Sequence, residues 1–452
     1  MMVAVPTKTR RAAAGLAALL RGQSGLAAVA QTGFATGLVL LVNVATGILS
    51  ARVLGPEGRG ELSALLLGPQ VLSFLFTLGL PVSLIVNVKQ RPDAAAGLVG
   101  AALLQSAVMG VLAAVAGFAI LPRLLVQYDD RVLMIGRALL VTVFLGVPST
   151  VLVAALQIRD RFRAYNGVRF WQSGLVLLGL VGLAAAGVAA PAWWALAYLV
   201  PTVPFFVWNL SWAVREFSPT LREFRRESAA LLGSGVRIHA VDALGTLLMQ
   251  VDKFILIALL APSVFGVYVV VFNLSRLITT FASSTLPVLV PRTAGKAAAE
   301  VVESTERALS AATILATASV LAFAAFGSLL LGLLYGEEFR SGYWAFLILS
   351  VEAALASAAA ILQQPYVVMN RAGAVAVMQC VSLAIAVPAI YVLTPRFGAI
   401  GAAAGLGSAS AARLFMTHRA YRRLLGVRAP RLVPKWGDVA TLFGRLRASV
   451  RA

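Results

Sequence analysis

The sequence predicts an all-α integral membrane protein with about twelve transmembrane helices in two six-helix halves. The 452 residues are 60% hydrophobic and only 12% charged, with a mean hydropathy of +0.88, and a soluble protein of this length cannot bury so much apolar surface. The apolar runs far exceed barrel strands in length and lack period-two alternation. The basic residues concentrate on alternate connections between those runs.

Each apolar run is long enough to cross about 30 Å of hydrocarbon as a helix. The polar connection 215–227 divides the first six runs from the last six. The predicted spans are 31–52, 62–87, 96–121, 133–157, 167–189, 192–214, 230–260, 266–290, 309–334, 343–368, 374–394 and 398–417. The predicted domains are a cytoplasmic amphipathic lead-in at 1–29, an N-terminal lobe at 30–214, a cytoplasmic linker at 215–227, a C-terminal lobe at 228–417 and a basic cytoplasmic tail at 418–452.

The basic residues predict the orientation of the chain in the membrane. With the N-terminus inside, the inner connections and termini hold 26 Lys and Arg residues and the outer connections hold six. This asymmetry predicts that both termini are cytoplasmic. The formal net charge of +20 is then explained by orientation and by anionic lipid headgroups, so nucleic acid is not an expected partner.

Two stretches of the chain, 206 positions apart, have identical residues at five matching positions, and in each stretch these residues flank a long apolar segment. Because six spans per half give both halves the same orientation, we expect pseudo-symmetric lobes related by an axis along the membrane normal, as in transporters whose halves move around a central site. Pro81 and Pro287 are interpreted either as gating kinks or as static bends. The repeated residues are Pro56, Gly60, Leu80, Pro81 and Val82, followed by Pro262, Gly266, Leu286, Pro287 and Val288.

Ionisable residues inside the apolar runs are the candidate functional residues, because each costs about 2.5–3.5 kcal/mol at membrane depth. Asp242 and Lys253 lie about 20° apart around one helix and about 16 Å along it, so both can line one wall of a cavity. Arg413 is set aside because it lies near enough to the cytoplasmic end to snorkel. The candidates are Arg137, Arg169, Arg237, Asp242, Asp252, Lys253, Arg276 and Glu352.

Five of these eight candidates are basic, so complete mutual pairing leaves positive charge over. A cationic cavity suits an anionic ligand, and guanidinium groups suit phosphate. The alternative is that the charges pair between helices and only lock the bundle. No cofactor or metal site is expected, because Cys380 is the single cysteine and His239 and His418 lie far apart. The glycine-rich stretch 55–60 predicts a tight extracellular turn, since no strand precedes it.

Several segments carry a family resemblance. The segment 51–62 resembles the loop after the first helix of bacterial polysaccharide (Wzx-type, O-antigen) flippases, which belong to the multidrug/oligosaccharidyl-lipid/polysaccharide exporter superfamily. The segments 334–339 and 397–403 resemble that family after helix nine and at the start of helix twelve. Asp252 and the segment 266–268 fit its second-half pattern, so the resemblance covers roughly 30–420.

The resemblance implies two lobes around a central cavity in a bacterial cytoplasmic membrane. It implies export of an undecaprenyl-diphosphate-linked oligosaccharide by alternating access, with membrane lipids, a polysaccharide polymerase and glycosyltransferases as partners. H⁺ or Na⁺ coupling is an open expectation. The expected headgroup-binding residues are Arg276, Arg237, Lys253, Arg169 and Gln70, and the expected ion-coupling or counter-charge residues are Asp242, Asp252 and Glu352.

The related lipid II flippases differ from this sequence in ways that predict another substrate. They carry cavity arginines in helices one, two and eight, and only Arg276 matches one of these. Asn43 and Gln70 lie in the first two spans instead, and the two extra helices of those flippases are missing. Gln70 stands at the repeat position equivalent to Arg276. We therefore expect most of the charged residues that bind the ligand to lie in the second half.

Three other functions are compatible with the sequence. A multidrug/toxin exporter has the same fold, but cationic drugs need an acidic cavity and this one is expected to be basic. A membrane-embedded glycosyltransferase or polymerase should carry a sizeable outer loop with acid and base residues, whereas the outer connections here are short. A scaffold in an envelope assembly is the third. The leading expectation is a transporter and not an enzyme.

Overall fold

The computed structural model describes residues 25–279, 298–369 and 371–434, and all regular structure within these ranges is helical. The helices, in chain order, are α1 Gly25–Leu75, α2 Leu80–Gln90, α3 Ala95–Leu124, α4 Asp130–Leu139, α5 Val141–Ile158, α6 Phe162–Ala185, α7 Pro191–Leu199, α8 Thr202–Phe217, α9 Phe224–Leu259, α10 Pro262–Ser275, α11 Ala298–Tyr335, α12 Tyr343–Val368 and α13 Ala372–Ala420.

Two of these helices change direction at a single glycine. Gly55 in α1 has φ 65° and Gly398 in α13 has φ 57°, a left-handed backbone region that glycine adopts without steric cost. These kinks fall where the sequence predicts the ends of the first and eleventh spans. The predicted extracellular turn at 55–60 is therefore a one-residue kink, because helix resumes at Pro56, whose fixed φ suits a first turn.

The second predicted span is interrupted between α1 and α2. Leu78 and Gly79 have φ values of 45° and 72°, which end the hydrogen-bonded helix after Leu75. Pro81 lies in the first turn of α2 and not in a helix interior, so its missing N–H leaves no helical bond unmade. The gating role of Pro81 stays a prediction.

Eight segments of the described residues are long and apolar enough to cross a membrane. Two of them, Gly37–Gln90 and Ala372–Leu425, are 54 residues long, and each covers all or most of two predicted spans. Pro262–Ile278 is a shorter apolar helix. The architecture agrees with the predicted all-α membrane class, whereas the count of twelve spans stays a prediction.

The chain divides into two compact units. Unit 1 consists of Met1–Val53, Ala64–Pro122 and Asp130–Ala240, and unit 2 of Leu54–Ser63, Arg123–Asp129 and Val241–Ala452. A core cluster within unit 1 packs residues of α2, α3, α5, α8 and α9, and a core cluster within unit 2 packs residues of α11, α12 and α13. The predicted lobe boundaries stay a prediction.

The proline and glycine residues that begin the two repeats contact each other inside unit 2. A Cβ atom added to Gly60 would lie 1.9 Å from the Pro262 carbonyl oxygen. A Cβ atom added to Gly266 would lie 1.9 Å from the Pro56 carbonyl oxygen. Only glycine allows two helix backbones to approach this closely. The repeated proline and glycine residues therefore form a reciprocal contact.

Candidate functional site: an ionic cluster and a polar cavity

An ionic cluster lies in unit 2, where α9, α10, α12 and α13 each contribute polar residues. Arg276 immediately follows α10, and Glu352 lies within α12. The Arg276 Nη2 and Glu352 Oε2 atoms are 2.6 Å apart, and the side chains are 16% and 2% exposed. Two candidates that lie far apart in the sequence thus form one buried ion pair.

Helix α13 completes the surroundings of Glu352. The Ser410 hydroxyl donates a 2.7 Å hydrogen bond to Glu352 Oε1. Arg413, one turn further along α13, interacts electrostatically with both Glu352 and Arg276. The expectation that Arg413 snorkels to the membrane edge is wrong, because the residue is only 5% exposed and its neighbours are the buried ion pair.

The guanidinium groups of this cluster keep unused hydrogen-bond donors. Arg276 Nη2 faces Glu352 Oε2, whereas Arg276 Nε and Nη1 have no acceptor in the described part of the chain. Arg413 Nε has no acceptor there either. Since buried donors in folded proteins normally have partners, two neighbouring groups with free donors indicate a place for an acceptor-rich ligand.

Phe272 is an aromatic platform for two cations. Its ring centroid lies 3.8 Å from Lys253 Nζ and 4.3 Å from Arg276 Cζ. Each cation–π contact contributes about 0.5–2 kcal/mol. The two cations repel each other, so an anion bound beside them lowers the electrostatic energy of the cluster. Lys253 Nζ also donates a hydrogen bond to Gln250 Oε1.

Asp252 is fully buried at the edge of the same cluster. The Tyr268 hydroxyl donates a 2.6 Å hydrogen bond to Asp252 Oδ2, whereas Asp252 Oδ1 has no donor among the described residues. The rings of Tyr268 and Phe272 lie 6.0 Å apart and connect this carboxylate to the cations. Asp252 and Lys253 contact different partners, as expected for adjacent residues on a helix.

A polar cavity of about 530 Å³ lies within unit 1. Gln70, Pro81 and Arg169, all predicted from the sequence, line this one cavity. Arg169 is the only charged side chain among the described residues that line it. In its wall, Gln172 Nε2 donates a 3.0 Å hydrogen bond to Thr202 Oγ1. The other polar lining residues are Ser73, Thr142, Ser149, Thr150, Gln157 and Tyr165.

The remaining candidates do not belong to either site as described. Arg137 lies in unit 1, where its Cζ stacks 4.6 Å from the Phe118 ring centroid. The side chains of Arg237 and Asp242, and all of Pro287, lie outside the described residues, so their roles stay predictions. Within the described ranges, no group of three or more His, Cys, Asp or Glu residues is placed to hold a metal ion.

Sequence reasoning missed two members of the ionic cluster, Ser410 and Arg413. With Thr417 they recur at intervals of three and four residues in an otherwise apolar helix. That spacing puts all three side chains on one helix face. This polar stripe, together with the single acidic residue of the tenth predicted span, is a signal in the sequence from which a contact with Glu352 could have been predicted.

A comparison with family profiles places the sequence. The profile described as polysaccharide biosynthesis protein matches residues 49–344. The chain belongs to this family. The resemblance drawn from its motifs is therefore confirmed. No curated protein matches the chain.

Solved structures of the MOP superfamily share the fold of this polysaccharide biosynthesis protein. The lipid II flippase MurJ in an inward closed conformation has a TM-score of 0.73 at 10% identity, covering 87% of each chain. An inward-facing multidrug resistance MATE family transporter has a TM-score of 0.66 at 16% identity, covering 86% of this chain and 94% of that one. A MOP superfamily transporter from Pyrococcus furiosus has a TM-score of 0.53 at 14% identity, covering 87% and 94%. The chain thus has the fold of these transporters, and its long apolar helices make it a multi-pass membrane protein.

Proposed function

We propose that this protein flips an undecaprenyl-diphosphate-linked oligosaccharide from the inner to the outer leaflet of a bacterial cytoplasmic membrane by alternating access, with both termini cytoplasmic. The family and the fold support membrane transport in polysaccharide biosynthesis. The observation that carries the substrate class is a pair of neighbouring guanidinium groups, Arg276 and Arg413, beside Lys253. Each of the two has a side-chain nitrogen without an acceptor among the described residues.

A diphosphate satisfies this cluster chemically. Among the described residues the cluster contains three bases, Lys253, Arg276 and Arg413, against two acids, Asp252 and Glu352. A diphosphate brings compensating negative charge and many acceptor oxygens in the geometry that guanidinium donors match. The orphaned nitrogens of Arg276 and Arg413 are the donors we assign to it.

The oligosaccharide needs a different surface, and the cavity of unit 1 offers one. Its volume of about 530 Å³ lies within the usual range for small-molecule sites, about 300–1,000 Å³. Amide and hydroxyl side chains such as Gln70, Gln157 and Thr150 line it, and these groups both donate to and accept from sugar hydroxyls. We assign glycan binding to this cavity, with Arg169 as its one charged contact.

Ion coupling is assigned to the carboxylates. Asp252 Oδ1 is buried without a donor among the described residues, and Glu352 already opposes two arginines. Protonation or Na⁺ binding at either residue changes the charge balance around Arg276, and this links the ion to the diphosphate. Asp242 keeps its predicted counter-charge role. The proposed partners are the glycosyltransferases and polymerase that make and consume the lipid-linked substrate.

The test is translocation of a fluorescent polyprenyl-diphosphate oligosaccharide in proteoliposomes. We expect Arg276→Ala to lower the rate at least tenfold, because the diphosphate loses a buried charged donor. Arg307→Ala is the matched control, because Arg307 is an exposed arginine of unit 2 that pairs with Glu303. Full activity of Arg276→Ala would overturn the headgroup role, and translocation that survives ionophores collapsing both ion gradients would overturn ion coupling.

Folding defects are separated from binding defects by a second variant. Arg276→Ala leaves Glu352 buried without its partner, which itself destabilises a protein. The double variant Arg276→Gln/Glu352→Gln removes both charges together and puts a neutral amide in place of each. We expect it to retain the fold, measured as thermal unfolding in detergent, and still to lose translocation. A folded and fully active double variant would contradict the assignment.

A further inference from the structure

The chain after the last helix does not leave the molecule as a free tail. A single π-helical turn, Tyr421–Leu425, follows α13 and ends at Gly426, whose φ of 67° reverses the chain. Tyr421 is fully buried, and its hydroxyl donates a 2.7 Å hydrogen bond to the Leu362 carbonyl oxygen. The reversal is therefore anchored to α12.

The returning segment 427–434 packs back onto unit 2. Val427, Ala429 and Leu432 contact the core cluster that contains Leu309 and Tyr366. At the end of this segment, Arg431 Nε lies 3.4 Å from Glu306 Oε1 of α11. The two arms of the reversal are thus held by apolar packing and by an ion pair, which fixes the positions of the side chains that they carry.

The reversal encloses a pocket of about 1060 Å³, which we call the C-terminal pocket. No acidic residue lines it within the described part of the chain. Arg422, Arg423 and Arg428 have no carboxylate within ion-pair distance there, and their side chains are exposed. Its arginines come from both arms of the reversal and are Arg419, Arg422, Arg423, Arg428 and Arg431.

The pocket also has an apolar wall, made by Met378, Phe415 and Leu424. Phe415 is 60% exposed, and its ring centroid lies 5.0 Å from Arg419 Cζ. Phe415 and Leu424 lie near the end of the apolar segment Ala372–Leu425, which is long enough to cross a membrane. Apolar and aromatic side chains followed by arginines at the end of such a segment match the depth at which acyl chains give way to headgroups.

We propose that the C-terminal pocket binds the phosphate headgroup of an anionic phospholipid of the membrane. Arginines on two fixed arms present several bidentate donor pairs to one phosphate, and the apolar wall receives the adjoining glycerol and acyl carbons. Placing Arg422, Arg423 and Arg428 together, with no acidic partner among the described residues, costs electrostatic energy, and a bound phosphodiester offsets it. The site is separate from the ionic cluster and carries no transported substrate.

The test is lipid binding to the purified full-length protein, measured by native mass spectrometry during titration with phosphatidylglycerol. The variant Arg422→Gln/Arg423→Gln/Arg428→Gln should bind the tightest phosphatidylglycerol at least tenfold more weakly than the natural chain. The control Arg163→Gln/Arg222→Gln/Arg225→Gln removes the same charge from exposed arginines of unit 1 and should bind as the natural chain does. Unchanged binding in the first variant, or an equal loss in both, would overturn the proposal.

Two further arms identify the ligand. Phosphatidylcholine and inorganic phosphate, at the same concentration, should each bind at least tenfold more weakly than phosphatidylglycerol. Equal binding of phosphatidylcholine overturns the anionic selectivity, and equal binding of inorganic phosphate overturns the lipid assignment in favour of a free anion. Arg422→Lys/Arg423→Lys/Arg428→Lys keeps the charge without the bidentate geometry and should bind with intermediate strength. Binding as weak as in the glutamine variant would contradict the charge argument.

Discussion

The two repeats are alike where they touch and unlike where they carry charge. Gly60 lies against Pro262, and Gly266 lies against Pro56. In both cases an added Cβ atom would lie 1.9 Å from the carbonyl oxygen of that proline. Ten positions after each glycine, however, the first repeat has Gln70 and the second has Arg276. The repeat thus preserves the residues that set the backbone and leaves the chemistry of each half free to differ.

The difference extends to the surroundings of the two positions. Gln70 lines a cavity of unit 1 whose described lining is amides and hydroxyls with one charge, Arg169, whereas Arg276 belongs to a buried ionic cluster in unit 2. Neutral polar groups such as Gln70 carry no charge that a partner must compensate. Buried charges require a partner, because their desolvation costs several kcal/mol. The surroundings of Arg276 therefore depend on internal charge balance, and those of Gln70 do not.

The largest expected effect comes from removing the acid of the ion pair. Glu352→Gln keeps the size of the side chain but leaves Arg276 and Arg413 facing each other without compensation. We expect a loss of about 3–5 kcal/mol in the free energy of unfolding, as for other broken buried pairs. Thermal unfolding in detergent measures it. The matched control is Glu303→Gln, which breaks an exposed pair with Arg307 and should cost at most about 1 kcal/mol.

The next effect tests the part that the repeats share. Gly60→Ala and Gly266→Ala should each destabilise the protein by about 1–3 kcal/mol, because the added methyl group forces two helix backbones apart. Gly47→Ala is the control, since nothing lies within 4 Å of its added Cβ, and it should be neutral or slightly stabilising. A large cost at one of the two glycines only, in the same unfolding assay, would contradict the reciprocal contact.

A smaller effect is expected at the carboxylate beside the cluster. Tyr268→Phe removes the only hydrogen-bond donor to Asp252 in the described part of the chain and leaves both carboxylate oxygens buried without a donor. We expect a cost of about 1–3 kcal/mol. Tyr343→Phe removes a hydroxyl that donates to the Ala324 carbonyl at an exposed position, and it should cost less. Equal costs would mean that Asp252 is satisfied in another way.

The smallest effect is expected in the polar cavity of unit 1. Gln172→Ala breaks the 3.0 Å bond to Thr202, but both residues are only half-buried. We expect at most about 1 kcal/mol of destabilisation. The proposed glycan role instead predicts weaker apparent affinity for the oligosaccharide substrate in the proteoliposome assay. A stability loss as large as that of Glu352→Gln would remove the contrast between the two halves.

The pattern of the sequence was sufficient for the fold class and for some of the breaks between helices, but not for the breaks after Leu75, Leu139 and Leu199. Proline and glycine predict the interruptions near Gly55, Ala190 and Gly398, because their backbone preferences are local properties. The embedded charges Arg276 and Glu352 were also visible, since ionisable residues in apolar runs stand out. Their contact was not predicted, because it depends on the rotation of two helices about their axes.

The position of Arg413 was also not predicted, because it depends on how two helices pack. Its position near the end of an apolar run suggested snorkelling, and only the packing of α12 against α13 shows it buried beside Glu352. Gly60 and Gly266 are a further contact that the sequence did not predict. The sequence revealed that they repeat, but a repeat does not indicate whether its copies touch.

By itself the sequence determined that this chain is helical, lies in a membrane, contains two related halves and concentrates its embedded charge in the second. These properties follow from hydropathy, periodicity and charge, which are sums over neighbouring residues. The tertiary structure decided which charges meet, which donors remain free, where the polar cavity lies and how the last arginines form a pocket. Those properties depend on contacts between residues distant in the chain, and these contacts form only when whole helices pack together.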